Sequence, residues 1–384
     1  MIIRIKQIFF SLITIFIATY FSIFILNYFL QKFEVYQINK KIKYNYSFVE
    51  KTIKENKEKY HLNYFYSMNH QNYSMYNNLV QKHKVYPLSS TSMKKVFLCN
   101  ESGENVFIRT DKYGFRNFKD NYQNPKNIII GDSFGLGICH PDKNFFINIL
   151  PYEFLNLSQG GTSSFSQAAI LREYANFNEN TNLYWLFFLG NDLEEIKNEF
   201  ENSFLKKYKD TNFKQNLITK DELKNNFINE ISGNNYFSNV KKEDLKRTYL
   251  LKKEESIFNL LKISYIRNKF NRKFIQIYSK ELIDLYIKVI LETKKNLNIK
   301  NLTVIILPDQ RVFLYKDYRK LYMIEYIKTQ FKKEQIDTID LPLLFEDKDF
   351  FQFFLSYNSH YSENGNKLLA EQISRCIKKL QKCN

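Results

Sequence analysis

The chain has 384 residues, 44% of them apolar and 25% charged, enough for one large folded domain plus an anchor and too apolar for a disordered one. A net charge of +17 would suit nucleic acid, but the lysines are scattered and no zinc-ligand set or aromatic RNA-binding box accompanies them, so no nucleic-acid partner is expected. The four cysteines and five histidines form no Cys-x-x-Cys or Cys/His ligand spacing, so no metal centre is expected either.

The run from Ile8 to Leu30 carries no charge and is long enough to cross a bilayer. Arg4 and Lys6 precede it, and no small-x-small cleavage site closes it, so residues 1–32 read as an uncleaved signal anchor. Lys32, Lys40, Lys41 and Lys43 follow the span and oppose the positive-inside rule. Large domains cross largely regardless of such charges, so the expectation is a single-pass protein whose domain faces the periplasm or exterior. Residues 33–94 are polar and rich in Asn, Tyr and Lys, and read as a stalk or linker; His61, His70 and His83 fall there as surface residues.

From residue 95 to 384 short apolar runs alternate with amphipathic stretches. The expected strands are Val96–Leu98, Asn127–Gly131, Phe154–Leu157, Leu183–Leu189, Leu302–Leu307 and Ile336–Ile339. The expected helices are Ser164–Asn176, Lys280–Leu297, Tyr318–Glu334 and Asn364–Lys382. Continuous apolar strands separated by helices indicate an α/β domain with a doubly wound parallel sheet. The charged stretch of about 197–279 reads as a helical insertion, either a lid over the carboxyl end of the sheet or a solvated decoration.

The densest signal is Ile128-Ile129-Ile130-Gly131-Asp132-Ser133-Phe134-Gly135-Leu136-Gly137, an apolar strand running into a Gly-Asp-Ser turn and a helix start. A serine there stands where open α/β sheets place ligands, beside backbone N–H groups suited to a developing negative charge. Asn156-Leu157-Ser158-Gln159-Gly160-Gly161 follows a second apolar run, and Gly190-Asn191-Asp192 closes a third. Near the C-terminus comes Asn358-Ser359-His360-Tyr361-Ser362-Glu363-Asn364-Gly365. In this order the four segments resemble the blocks of the SGNH (GDSL-type) hydrolase superfamily, over about residues 95–380. Cys99-Asn100-Glu101-Ser102-Gly103, Tyr113-Gly114-Phe115-Arg116-Asn117 and Arg172-Glu173-Tyr174 look like a bacterial membrane-anchored envelope subgroup of it.

The resemblance implies a flavodoxin-like sheet, Ser133 as nucleophile and His360 as its base. It implies an oxyanion hole made of the Ser133 and Gly161 backbone N–H groups and the Asn191 carboxamide. For Gly160 and Gly161 a plain tight turn is the other reading; for Asn191 it is a helix N-cap, with Asp192 an equal candidate. Asp132 is expected to hydrogen-bond the turn, and His140 to be structural or rim-exposed. The family normally sets an Asp two or three residues before the histidine; here those positions are Asn358 and Tyr357. Asn358 can orient the imidazole but supplies no charge. That leaves a Ser–His dyad, a carboxylate from Asp340, Asp347 or Asp349, or a degenerate site.

A disulfide between Cys99 and Cys139 would pin an incoming strand beside the nucleophile loop in an oxidising compartment. Cys376 and Cys383 stand about 10 Å apart along an intact helix, too far to pair within it. The resemblance implies a serine esterase acting on O-acyl groups of an envelope carbohydrate through a seryl-acyl intermediate, without cofactor. Two alternatives stay open: an O-acyltransferase served by an acyl-donor partner in the membrane, and a silent carbohydrate-binding or scaffold protein.

Overall fold

The computed structural model describes residues 7, 9–29, 61–62, 73–99, 106–119, 121–233, 279–309, 318–344, 353–354 and 360–378. The chain divides into two compact units, Met1–Asn56 with Ser238–Gln276, and Lys57–Phe237 with Ile277–Asn384. In the first, helix α1 (Phe9–Phe29) is long and apolar enough to cross a membrane.

The second unit is built on five parallel strands: β4 (Asn127–Ile130), β5 (Leu155–Asn156), β6 (Asn182–Phe188), β7 (Asn301–Leu307) and β8 (Asp337–Asp340). Their spatial order is β5-β4-β6-β7-β8. The chain leaves β4 towards one edge for β5 and then returns to the other side for β6. The direction of winding therefore reverses at the β4/β6 junction, and ligands of such sheets sit outside the strand carboxyl ends at that point.

Period-two alternation along β6 shows why the strands are apolar throughout. Trp185 and Phe187 face one layer, where the Trp185 indole N–H bonds Gln167 of α5 (Ser164–Tyr174) and Phe187 packs on Tyr286 of the helix Lys280–Asn296. Tyr184, Leu186 and Phe188 face the other, in one cluster with Phe146, Leu369 and Ile373. Those last three come from α4 (Phe146–Ile149) and the terminal helix Glu363–Lys378. The expected doubly wound α/β sheet is therefore present, with each expected core strand and helix within a few residues of its observed place.

Two expectations are corrected. Val96–Leu98 does form a strand, β2 (Lys95–Cys99), but it pairs with β1 (His61–Leu62) and antiparallel with β3 (Val106–Arg109) in a separate sheet. The supposed linker is folded from Tyr73 onward: α2 (Tyr73–His83) packs on α7 (Asp221–Gly233), and Val85, Tyr86 and Leu88 are buried. Cys376 is disulfide-bonded, to a partner outside the residues whose side chains are described.

The described part of the insertion is packed against the rest of its unit. Leu205, Tyr208, Leu217 and Phe227 are buried. Glu173 of α5 accepts hydrogen bonds from the Tyr208 hydroxyl and the Gln215 and Leu217 N–H groups. Lys224 of α7 is buried as well, donating to Ser89, Ser92 and the Tyr113 carbonyl and pairing with Asp221 at 2.8 Å. Burial pushes its ammonium pKa down, and Asp221 opposes that. A buried lysine held this way fixes α7 to the segment around Ser89–Ser92. The rest of the insertion, 234–278, lies outside the described residues.

Candidate active site

Strand β4 ends in three buried isoleucines, and the chain then turns through Gly131 and Asp132 into the one-turn helix α3 (Ser133–Leu136). Asp132 caps that helix: its Oδ1 accepts the Phe134 N–H at 2.9 Å. Gly137, with φ +71°, ends it in the left-handed conformation. Ser133 is half-buried between fully buried neighbours, so its hydroxyl is the polar group this turn presents at the winding reversal.

His360 Nε2 stands 3.0 Å from Ser133 Oγ, across 227 residues of sequence. Its ring lies against the Phe134 ring, with centroids 4.8 Å apart, and Phe134 also stacks on Phe188 at 3.8 Å. The position of His360 follows from that of Tyr361. The buried Tyr361 donates its hydroxyl to the Pro308 carbonyl, bridges Phe354, and accepts His140 Nε2 on its own carbonyl at 2.6 Å. Because a carbonyl only accepts, His140 carries its proton on Nε2. His140 is therefore buried and structural, and it joins the loop after Ser133 to the residue beside His360.

The three expected oxyanion donors follow three neighbouring strands. Ser133 follows β4, Gly161 follows β5 on one side, and Asn191 follows β6 on the other. The Gly160–Gly161 turn is attached to the nucleophile turn, since the Gln159 N–H and the Thr162 hydroxyl both donate to the Gly131 carbonyl. Gly161 has φ +73°, a conformation a side chain would strain. Asn191 occupies the N-cap position of α6 (Asp192–Glu201), yet its side chain makes no capping bond and its Oδ1 is buried without a partner. Nor does Asp192 cap: its Oδ2 accepts the Phe188 N–H at the end of β6. Among the described residues, the N–H groups of Ser133 and Gly161 and the amide of Asn191 have no protein acceptor. Donors left over at one sheet edge are what a substrate oxyanion would use.

Three buried carboxyl groups stand behind this edge. Burial pushes Asp132 up to about 6, against the lowering effects of the Phe134 N–H and the nearby His360. Burial, and then the charge of Asp132, push Asp192 well above the usual carboxylate range. Burial also pushes Glu199 up to about 7. Glu199 accepts the N–H groups of Ser163, Phe165 and Ser166, so a residue of α6 caps α5 from outside. That fixes the helix that leaves the Gly160–Gly161 turn. Spacing along the sequence gave Glu199 no signal beyond that of a charged helix face.

The Tyr113–Asn117 motif acquires a physical meaning as a brace. A Cβ on Gly114 would lie 1.8 Å from the Ser90 carbonyl oxygen, so no larger residue fits. Arg116, buried, donates to the carbonyls of Leu136, Gly137 and His140 and pairs with Asp142 at 2.7 Å. Asn117 bonds both the N–H and the carbonyl of Asn156 on β5. Cys139, between Ile138 and His140, is disulfide-bonded and packs with Val96 and Leu98 of β2, the strand that Cys99 ends.

Asn358 lies outside the described residues, as do Asp347 and Asp349. Asp340 is described: it pairs with Lys328 at 3.1 Å and accepts the Leu343 N–H, so its carboxylate serves the end of β8. No cluster that could hold a metal ion occurs among the described residues. Comparison with family models, curated proteins and solved structures gave no match to the chain.

Proposed function

We propose that this protein is a membrane-anchored serine esterase of the SGNH type, cleaving O-acyl groups through a seryl ester on Ser133. The observation that carries the reading is the 3.0 Å contact of His360 Nε2 with Ser133 Oγ. It lies at the sheet edge where three donors have no acceptor among the described residues, and neighbouring base and spare donors are the two requirements of an activated hydroxyl. The strand order supports the flavodoxin-like form of the fold that the family resemblance implies.

In this reading His360 takes the Ser133 proton as Oγ attacks the acyl carbon, and later gives it to the departing alcohol oxygen. The Ser133 and Gly161 N–H groups and the Asn191 amide hold the oxyanion, and water releases the acyl group. The apolar helix Phe9–Phe29 supplies the anchor. The bonded state of Cys139 and Cys376 supports an oxidising compartment, hence a domain outside the cytoplasm. A Cys99–Cys139 pairing fits the placement of Cys139 against β2. The resemblance puts the substrate among O-acylated envelope carbohydrates.

The test is hydrolysis of an activated acetate ester and of O-acetylated glycans by the full chain in detergent. The parent is expected to turn over, and Ser133→Ala to fall to the uncatalysed rate with an unchanged melting temperature. A variant as fast as the parent would remove Ser133 as nucleophile.

A further inference from the structure

The family pattern places a carboxylate just before the histidine, where this chain has Tyr357 and Asn358. A serine enzyme that loses that charge slows by about four orders of magnitude, and Asp132 is a buried carboxylate beside the Ser133–His360 pair. We infer that Asp132, the residue before the nucleophile, supplies the negative charge that the His360 imidazolium requires. The inference rests on the Ser133–His360 reading above.

The geometry has three parts. Asp132 is buried, and one carboxylate oxygen, Oδ1, is committed to the Phe134 N–H at 2.9 Å. The other, Oδ2, lies 3.5 Å from Ser133 Oγ, on the atom that His360 Nε2 contacts from 3.0 Å. The shorter contact directs the serine proton to His360, while the longer one leaves Asp132 as a fixed charge and not a base. Finally, Asp132 and His360 attract one another, and low-dielectric surroundings strengthen such an attraction.

The groups facing Asp132 decide whether the charge is present. They are Asp192 at the start of α6, Tyr286 of the helix behind it, and His360 and Tyr361 of the C-terminal segment. Two carboxylates so close do not both ionise readily. Asp192 keeps its proton, since it is pushed well above the usual range and its Oδ1 has no hydrogen-bond partner to favour the anion. Asp132, capping a helix and attracted by His360, ionises first, at about 6. Above that pH the charge is in place.

In the acylation step the Oγ–carbon bond forms, the carbonyl electron pair moves to oxygen, and the proton passes to Nε2. The imidazolium positive charge then stands beside the Asp132 carboxylate. When the alcohol oxygen leaves with that proton, the imidazole is neutral again. Asp132 is thus a positioning residue, acting through His360.

Asp132→Asn keeps an oxygen for the Phe134 N–H and removes only the charge; Asp132→Ser caps the helix with a hydroxyl and does the same. The full chain in detergent is followed by its acylation rate against pH. In the parent, acidification through about 6 withdraws the Asp132 charge, so the rate falls across that pH. Both variants are expected to lose the part of the fall that belongs to Asp132 and to show a plateau at pH 8 lower by about tenfold or more. A purely structural cap would move the plateau and leave the pH profile. An unchanged profile and plateau in either folded variant would overturn the inference. A parent that never acylates at Ser133 would instead overturn the reading beneath it, and with it this inference.

Discussion

The turn carrying Ser133 is held from several directions, and among the described contacts His360 is placed through Tyr361 and the ring of Phe134. Around the turn, Asp132 caps α3, Arg116 holds three carbonyls beyond it, and Gly131 receives two bonds from the Gly160–Gly161 side. Around His360, the described contacts run through its neighbour: the Tyr361 hydroxyl on Pro308 and the Tyr361 carbonyl under His140. A nucleophile that grows out of a sheet strand inherits its position from the core. His360, 227 residues later, has to be docked, and His140 and the Phe134 ring both link the two.

Two substitutions sharpen the contrast between groups left for substrate and groups spent on the scaffold. Asn191→Ala removes an amide that makes no hydrogen bond among the described residues, so the melting temperature should stay within about 2 °C while acylation slows by about 10²–10³-fold. A lost degree of stability with an unchanged rate would make Asn191 a helix cap after all. Arg116→Met should do the reverse. It strips donors from the buried carbonyls of Leu136, Gly137 and His140 and leaves Asp142 unpaired, destabilising the fold by about 3 kcal/mol in chemical denaturation. Arg116→Lys should not restore it, because an ammonium cannot span those four acceptors at once. A Met variant as stable as the parent would remove Arg116 as the brace of the nucleophile turn.

Much of the sheet is legible in the sequence because parallel strands covered on both faces must be apolar throughout. Ile128–Ile130, Leu183–Phe188 and Leu302–Leu307 announce themselves that way, and the strand burial follows. Sheet membership does not announce itself. Lys95–Cys99 has the composition of a core strand, yet its partners are β1 and β3, because pairing depends on what lies alongside and not on periodicity.

The segment from Tyr73 to Lys94 reads as linker because it is polar and poor in long apolar periodicity. Its burial is supplied by α7, some 130 residues further on, through contacts such as Tyr76 on Phe227 and Lys224 on Ser89. Of the site, Ser133, His360, Gly161 and Asn191 are legible through motif order. Arg116, His140 and Glu199 are not, because an isolated charged or imidazole side chain reads as surface until its buried partners are known. Each is buried here because distant backbone groups satisfy it.

The central claim is that Ser133 is an activated nucleophile, and reaction with a fluorophosphonate tests it most directly. The full chain in detergent would be incubated with the probe, weighed intact, and digested to map the adduct. The account predicts one phosphonyl group on Ser133, formed at least about a hundredfold more slowly in His360→Gln, in line with the loss of a general base. A folded chain that takes up no probe, or takes it up on another residue, would contradict it.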